Sequence, residues 1–179
     1  FNTPAAGRSV WGDGTYIYVA DGTSGIRAYT FDGTTFTEIG SYNTPSSVRD
    51  VWGDGTHIYV ADSTSGLRAY TFDGSTFTEI DVYNTPSNAI DVWGDGTHIY
   101  VADDASGVRA YSFDGTNFTE EDAFDTPANA QGVWGDGTYI YVGDASSGVR
   151  AYSGFECTAI ADISPDRTND PDHGVDYSY

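Results

Sequence analysis

Short apolar clusters separated by turn residues recur along the whole chain. From Tyr16 to Ala20, the aromatic residues Tyr16 and Tyr18 alternate with Ile17 and Val19, which is the period of two shown by β-strands. Because large apolar groups fall on both sides of such a strand, both faces of its sheet must be buried. The sequence has no Met and 22 Gly, a composition that disfavours long helices. The pattern predicts an all-β protein whose sheets are covered on both sides.

A tandem repeat organises these clusters. The motif Trp-Gly-Asp-Gly begins at Trp11, Trp52, Trp93 and Trp134, a constant spacing of 41 residues. Repeats of about 40 to 45 residues are typical of propeller blades and of helical arrays, and the apolar pattern excludes the helical arrays. Four copies of the unit cover residues 1 to about 153.

Each copy predicts four strands joined by tight turns. In the second copy the predicted strands are 47–53, 57–62, 67–72 and 77–83. The pairs Asp54-Gly55 and Asp73-Gly74 separate the first strand from the second and the third from the fourth. Asp-Gly is preferred in two-residue hairpin turns, in which both central residues have φ above zero. Each copy is therefore predicted to be an antiparallel meander.

A small sheet that is covered on both faces by copies of itself is a propeller blade. We therefore predict an all-β fold, a β-propeller of four-stranded antiparallel blades. The propeller covers residues 1–165, and residues 166–179 form an acidic polar tail. In the last copy, residues 155–161 can supply the fourth strand although the turn before them is shortened. The predicted blades are 5–45, 46–86, 87–127 and 128–165, with approximate boundaries.

The sequence leaves the number of blades in the complete ring open. Four blades can close as a four-bladed ring. Two copies of the chain can instead form the halves of an eight-bladed ring, so that the protein is a homo-oligomer. The four blades can also be a piece of a longer array.

A family resemblance is carried by residues 18–27, which read Tyr-Val-Ala-Asp-Gly-Thr-Ser-Gly-Ile-Arg. This segment is similar to the core of the LVIVD-repeat propellers of bacterial and archaeal secreted or cell-surface proteins, and it recurs at 59–68, 100–109 and 141–150. Where that family continues with an apolar run ending in Asp, this chain has Arg-Ala-Tyr-Thr-Phe-Asp at 27–32. The resemblance implies a propeller and an extracellular or cell-surface location, and it brings no catalytic residues.

The charge of the chain restricts its partners. There are 27 Asp and Glu against seven Arg and no Lys, which gives a net charge of −20. Such a surface repels phosphate backbones and anionic lipid headgroups, and no apolar run approaches the roughly 18 to 20 residues that span a bilayer. We expect no nucleic-acid partner and no membrane insertion. The composition suits a protein that works in strong salt; duplication of an Asp-rich unit is the alternative explanation.

The repeated polar and aromatic residues are interpreted as structural. Asp21 and Arg27 recur in all four copies and predict a charge-assisted hydrogen bond that holds a hairpin or joins adjacent blades. The repeated Trp predicts stacking between blades. His57 and His98 replace tyrosines of the other copies and are interpreted as packing or surface variants, because no nucleophile recurs with them. The single Cys157 is predicted to be packed.

Variation among the copies is concentrated in the connections between blades. The Trp-Gly-Asp-Gly-Thr turns are identical in all four copies, whereas the connections differ. In a meander the connections lie at the opposite end of the disc from these turns. Drift of surface loops explains the variation, and a recognition face over the channel explains it equally. The candidate residues of that face are Arg8, Ser9, Arg49, Asp50, Ile90, Asp91, Gln131 and Gly132.

We therefore expect a non-enzymatic extracellular or cell-surface propeller that binds a protein or glycan at this face or builds an assembly. The alternative is a lactonase-like, metal-dependent hydrolase using channel carboxylates, which the absence of His from the variable loops disfavours. No cofactor is expected, with calcium as the alternative, since carboxylates are the ligands that this ion prefers. The metal candidates are Asp50 and Asp91 in the channel and Asp170 and Asp172 in the tail.

Overall fold

Four separate four-stranded sheets make up the structure, and each corresponds to one repeat. The computed structural model describes residues 1–153 and 158–162. Every sheet is antiparallel, with its strands paired in chain order. The predicted meander blades are therefore confirmed. A single 3-10 turn, Ala145–Ser147, lies in the fourth sheet, and no helix in the described ranges is long and apolar enough to cross a membrane.

The strand bounds follow the repeat. Blade 1 contains β1 (Ser9–Gly12), β2 (Ile17–Ala20), β3 (Ile26–Phe31) and β4 (Phe36–Tyr42). Blade 2 contains β5 (Asp50–Gly53), β6 (Ile58–Ala61), β7 (Leu67–Phe72) and β8 (Phe77–Tyr83). Blade 3 contains β9 (Asp91–Gly94), β10 (Ile99–Ala102), β11 (Val108–Phe113) and β12 (Phe118–Phe124). Blade 4 contains β13 (Gly132–Gly135), β14 (Tyr139–Gly143), β15 (Val149–Ser153) and β16 (Thr158–Asp162).

The third and fourth strands of the second copy match their predicted bounds, whereas the first strand begins three residues later than predicted and the second is one residue shorter at each end. Residues 47–49 belong to the connection between blades. Val48 forms an antiparallel bridge with Gly22 of the preceding blade, and its N–H donates to the carbonyl oxygen of Gly22 at 3.0 Å. These residues therefore tie two blades together before β5 begins. In the fourth copy, the predicted strand is present as β16, while its first predicted residues lie outside the described ranges.

The tight turns depend on one glycine and one carboxylate. Gly55 has a φ of 91°, and no Asp of an Asp-Gly turn is among the described residues with positive φ. Instead, Oδ1 of Asp54 accepts the N–H groups of Thr56 and His57, each at 2.7 Å. The prediction that both central residues have positive φ is therefore wrong. Because the Asp side chain satisfies two N–H groups of the turn, only the glycine takes the left-handed conformation.

The hydrophobic core lies between the blades. Each blade has a forward face, turned to the next blade in chain order, and a rear face, turned to the preceding one. The first interface is formed by Tyr18, Ala20, Ile26 and Ala28 on the forward face of blade 1, and by Val51, Ile58, Val60, Tyr70 and Phe77 on the rear face of blade 2. The equivalent residues form the next two interfaces. Burial of both faces, predicted from the strand pattern, is thus achieved by neighbouring blades.

The four blades form an open arc. The innermost strands pack in the order β1, β5, β9 and β13. On the rear face of blade 1, however, Val10 is 65% exposed, whereas the equivalent Val51 is 3% exposed. On the forward face of blade 4, Trp134 is 56% exposed. A closed four-bladed ring would bury both faces, so this alternative does not describe the structure.

Candidate functional site

The repeated Asp and Arg fasten each blade to the connection that enters it. In blade 2, Asp62 is buried and lies 3.0 Å from Nε of Arg68. Its carboxylate also accepts hydrogen bonds from Thr44 Oγ1 at 2.8 Å and from the N–H of Ser46 at 3.3 Å. Burial raises the pKa of Asp62, and these donors with Arg68 oppose the effect. Nη1 of Arg68 also forms an ion pair with Glu79 at 2.7 Å. The repeated Asp and Arg therefore join adjacent blades, as the sequence predicts.

Three of the repeated Trp residues, Trp11, Trp52 and Trp93, pack within their own blade and against a glycine of the next. Trp11 stacks on Tyr18 with ring centroids 5.6 Å apart. A Cβ added to Gly53 of blade 2 would lie 2.7 Å from the Trp11 ring. The glycine is therefore needed because the indole of the preceding blade occupies the space of a side chain. The Trp contact between blades that the sequence predicts is present, but the ring stacking itself is with a tyrosine of the same blade.

His57 and His98 also occupy packing positions. His57 lies edge-on to Phe113, with centroids 5.1 Å apart, and its Nδ1 is 3.6 Å from Asp54 Oδ2. His98 has the equivalent contact with Asp95 at 3.7 Å. Both rings are half-buried beside the Trp-Gly-Asp-Gly turns, as expected of tyrosine replacements.

The two ends of the molecule differ in how their carboxylates are used. We call the end formed by the Trp-Gly-Asp-Gly turns the turn end and the end formed by the connections between blades the variable end. At the turn end, burial alone would raise the pKa of Asp54, but hydrogen bonds from His57, Thr56 and Tyr59 outweigh it, and the pKa is lowered. These carboxylates are committed to holding the turns.

A concave surface lies at the turn end. The four copies of the Trp-Gly-Asp-Gly turn line an open depression of about 890 Å³. Its walls carry the indole rings, with the turn aspartates beside them. This surface is not among the sequence-based candidates, because residues that are identical in every blade are interpreted there as structural. The signal that could have indicated it is the fourfold recurrence of an aromatic residue beside an acidic one.

The variable end contains the candidate residues of the recognition face. Ser9, Asp50, Asp91 and Gly132 are the first residues of the innermost strands β1, β5, β9 and β13, and Arg8, Arg49, Ile90 and Gln131 directly precede them. The connections also contact the turns between the second and third strands. Gln131 Nε2, for example, donates to Asp104 Oδ1 at 3.1 Å. The structure thus brings the predicted residues to one end of the arc.

Asp50 and Asp91 form a carboxyl pair that also links blades. Asp50 Oδ2 accepts the N–H of Val92 at 2.9 Å, and Asp91 Oδ2 accepts the N–H of Val133 at 2.7 Å. Each carboxyl group is therefore hydrogen-bonded to the innermost strand of the next blade. Burial and the neighbouring carboxyl group of Asp50 raise the pKa of Asp91. Because two negative charges would repel at short range, the protonated form of Asp91 is favoured.

The metal candidates divide into two groups. In the described part of the chain, no three or more His, Cys, Asp or Glu side chains are grouped so that they could hold a metal ion. Asp50 and Asp91 alone offer fewer oxygens than the six to eight that calcium takes. Asp170 and Asp172, like Cys157, lie outside the described residues, and calcium binding there stays a prediction.

Two arginines at the variable end differ from the repeated ones. Arg27, Arg68, Arg109 and Arg150 each form an ion pair with a buried Asp. Within residues 1–153, Arg8 and Arg49 form no ion pair. Arg8 is exposed and Arg49 is half-buried, and the buried Nε atom of Arg49 has no hydrogen-bond partner. The acidic molecule therefore presents unneutralised positive charge at this end.

Comparison with known proteins supports the repeat assignment. The sequence profile of the LVIVD repeat matches residues 6–26, 45–68 and 127–149, which lie in the first, second and fourth copies. A search of curated protein sequences gives no significant match.

The fold of this chain is similar to those of solved structures. The crystal structure of the computationally designed Ika8 protein is 7% identical, with a TM-score of 0.71 over 85% of this chain and 47% of that chain. The computationally designed Ika4 protein is 6% identical, with a TM-score of 0.70 over 85% of this chain and 93% of that chain. The chain thus spans about half the length of the Ika8 chain. The repeat profile matches three of the four copies, so the resemblance noted at residues 18–27 is confirmed: the chain is a β-propeller whose repeats are similar to the LVIVD repeat.

Proposed function

We propose that this propeller is a non-enzymatic, extracellular or cell-surface module that binds a protein or glycan partner through its variable end. The repeat-protein fold is consistent with a binding or structural module. Sequence differences among the blades are concentrated at the variable end, while the turn aspartates are occupied in holding their own turns. The resemblance to secreted and surface propellers supports the location.

The strongest support for this proposal is the pair of arginines at the variable end. Arg8 and Arg49 occupy equivalent positions in adjacent blades, and neither has an ion-pair partner within residues 1–153. A half-buried guanidinium with an unsatisfied N–H favours a carboxylate supplied from outside, because such pairs form charge-assisted hydrogen bonds. The partner class is therefore a carboxylate-bearing glycan or an acidic peptide segment.

A binding assay with a panel of probes tests this proposal. The panel contains uronic-acid oligosaccharides, sialylated oligosaccharides, neutral oligosaccharides and acidic peptides, each immobilised for biolayer interferometry. We expect the protein to bind at least one carboxylate-bearing probe. The double variant Arg8→Ala plus Arg49→Ala should lose at least about tenfold in affinity, the scale expected for a charge-assisted contact.

The matched control is the pair Asp54→Ala plus Asp95→Ala at the turn end. These substitutions remove turn hydrogen bonds and should leave binding to the carboxylate-bearing probe unchanged. Circular dichroism of both double variants establishes that the blades remain folded. Absence of binding to every acidic probe, or equal binding by the arginine variant, would contradict the proposal.

The depression at the turn end favours a second candidate function. Indole rings beside carboxylates suit a neutral sugar, which stacks its apolar face on an aromatic ring and donates hydroxyl hydrogen bonds to an acid. In the same assay this function is indicated when neutral oligosaccharides bind and the Asp54/Asp95 variant loses that binding. The functional end would then be the turn end.

A further inference from the structure

The rear face of blade 1 is an uncovered copy of a buried surface. In blades 2 and 3 the equivalent faces are covered by the preceding blade. On blade 1 the face is an open, apolar hollow of about 580 Å³, whose lining includes Val10, Ile17, Val19, Tyr29 and Phe36. Phe1 lies against Tyr29 at 5.3 Å, much as Tyr42 lies against Tyr70 at 5.1 Å in the first interface. The face is therefore already arranged as one side of an interface between blades.

The forward face of blade 4 is the opposite uncovered surface. Val149 is 42% exposed, while its equivalents Ile26 and Leu67 are fully buried against the next blade. Trp134 stacks on Tyr141 at 5.9 Å, as Trp11 stacks on Tyr18. Blade 4 thus presents the same side chains that fill an interface elsewhere in the molecule.

The rear face of blade 1 and the forward face of blade 4 each carry one partner of the Trp–Gly contact that joins neighbouring blades. Trp52 and Trp93 each lie over a glycine of the following blade, and a Cβ on Gly94 or Gly135 would come within 2.5 Å of the ring. Gly12 has no such ring above it, since the nearest atom to an added Cβ is the carbonyl oxygen of Tyr16 at 3.2 Å. Trp134, in turn, has no following glycine in the described chain. Gly12 can therefore receive the indole that Trp134 offers.

We propose that two copies of this chain associate head to tail and close one ring of eight blades. The forward face of blade 4 in each copy packs on the rear face of blade 1 in the other, which gives two identical interfaces related by a twofold axis. A head-to-tail contact forms a closed ring when the rotation between copies closes. The same fold occurs in designed chains of about this length and of about twice this length, since the arc covers 93% of the Ika4 chain and 47% of the Ika8 chain.

Charge modulates this association without determining where it occurs. Each copy carries −20, and the repulsion between two such copies is long-range and screened by salt. The end faces themselves are apolar, so the contact is driven by burial of hydrophobic surface. Dimers should therefore be more populated in about 1 M sodium chloride than at low ionic strength.

Sedimentation equilibrium in about 1 M sodium chloride tests the proposal. The expected mass is twice the 19.2 kDa of one chain. Val10→Asp places a charge on the rear face of blade 1, and Trp134→Ala removes the indole from the forward face of blade 4. Each should weaken the dimer at least about a hundredfold while circular dichroism stays that of folded blades. Thr78→Asp, at an exposed position on the outer strand β8, is the matched control and should stay dimeric.

Mixing the two variants tests the head-to-tail geometry. A mixed pair has one interface with both partner faces unaltered and one with both altered. We expect mixtures of Val10→Asp and Trp134→Ala to form dimers more tightly than either variant alone. The proposal is overturned by a monomeric wild-type chain at about 100 µM, by polymers whose mass grows with concentration, or by mixtures no tighter than the separate variants.

Discussion

The side chains of Asp50 and Asp91 lie close together at the start of neighbouring innermost strands. Each also accepts an N–H of the next blade. Burial and the proximity of Asp50 raise the pKa of Asp91, so the folded state retains a proton that the unfolded chain releases. The pair stabilises the contact between blades while that proton is bound.

Asp91 should therefore make the free energy of unfolding depend on pH. Its contribution is complete below the ordinary aspartate pKa and is lost as pH rises through the raised pKa of the folded state. Turn aspartates with lowered pKa, such as Asp54, contribute in the opposite direction: their stabilisation is present above the ordinary value and disappears only as pH falls below it. A decline in stability between about pH 5 and pH 9 is thus the expected sign of the carboxyl pair.

Asp91→Asn should reduce this decline, since an amide donates to Asp50 without needing a proton. We expect the free energy of unfolding to fall less between about pH 5 and pH 9 in the variant, with a difference on the order of 1–2 kcal/mol. Urea denaturation at each pH gives the measurement. Asp125→Asn, at a highly exposed carboxylate, is the control. An Asp91→Asn variant with the wild-type decline would show that the pair does not retain the proton.

At the scale of the elements, the position of a blade depends on the glycine that packs against the Trp of the preceding blade. Gly94 ends β9, and the ring of Trp52 fills the space beside its Cα. The same substitution therefore has different effects at different glycines. The difference depends on the neighbouring blade and not on the strand that contains the glycine.

Gly94→Ala should destabilise the protein by about 1–3 kcal/mol, because the added Cβ would lie 2.5 Å from Trp52 and 2.9 Å from the carbonyl oxygen of His98. The control is Gly143→Ala, where the nearest atoms are 3.7 Å away and only a small change is expected. Chemical denaturation monitored by circular dichroism compares the two. Similar losses for both variants would mean that the Trp–Gly contact does not limit the approach of the blades.

The sequence was sufficient for the strands and turns but not for all of their geometry. The alternation around Tyr18 and the Asp-Gly pairs are local signals, and they correctly predicted the four-stranded blades. The conformation of Asp54 was missed, because the side chain replaces a backbone hydrogen bond that a turn preference does not reveal. The raised pKa of Asp91 depends on the spacing between two blades, and the apolar pattern does not contain that distance.

At the scale of the whole molecule, two features reduce stability: the excess of acidic residues and the exposed apolar end faces of the arc. The 27 acidic residues, against only seven Arg, repel one another, and the end faces of a single copy expose apolar side chains such as Val10 and Trp134. A closed four-bladed ring is compatible with the sequence, because the number of repeats alone does not set the angle between blades. The exposure of Val10 and Trp134 excludes a closed four-bladed ring, because such a ring would bury both side chains.

Salt should therefore raise the melting temperature. Between low and about molar sodium chloride we expect an increase of several degrees, since screening weakens repulsion among the carboxylates. Differential scanning calorimetry at fixed protein concentration provides the measurement, with potassium chloride as the matched salt. An increase with millimolar calcium and none with sodium would contradict general screening and indicate a specific carboxylate site.

The contact between each Trp and the next glycine also bears on how such a chain can change length. Since the contact is the same at every boundary between blades, recombination between two copies of the repeat adds or removes a whole blade and leaves every remaining contact intact. Insertions of any other length shift Trp away from glycine and disrupt the stacking of blades. Length variation among descendants of this chain is therefore expected in steps of one repeat, limited by the number of blades that a closed ring accepts.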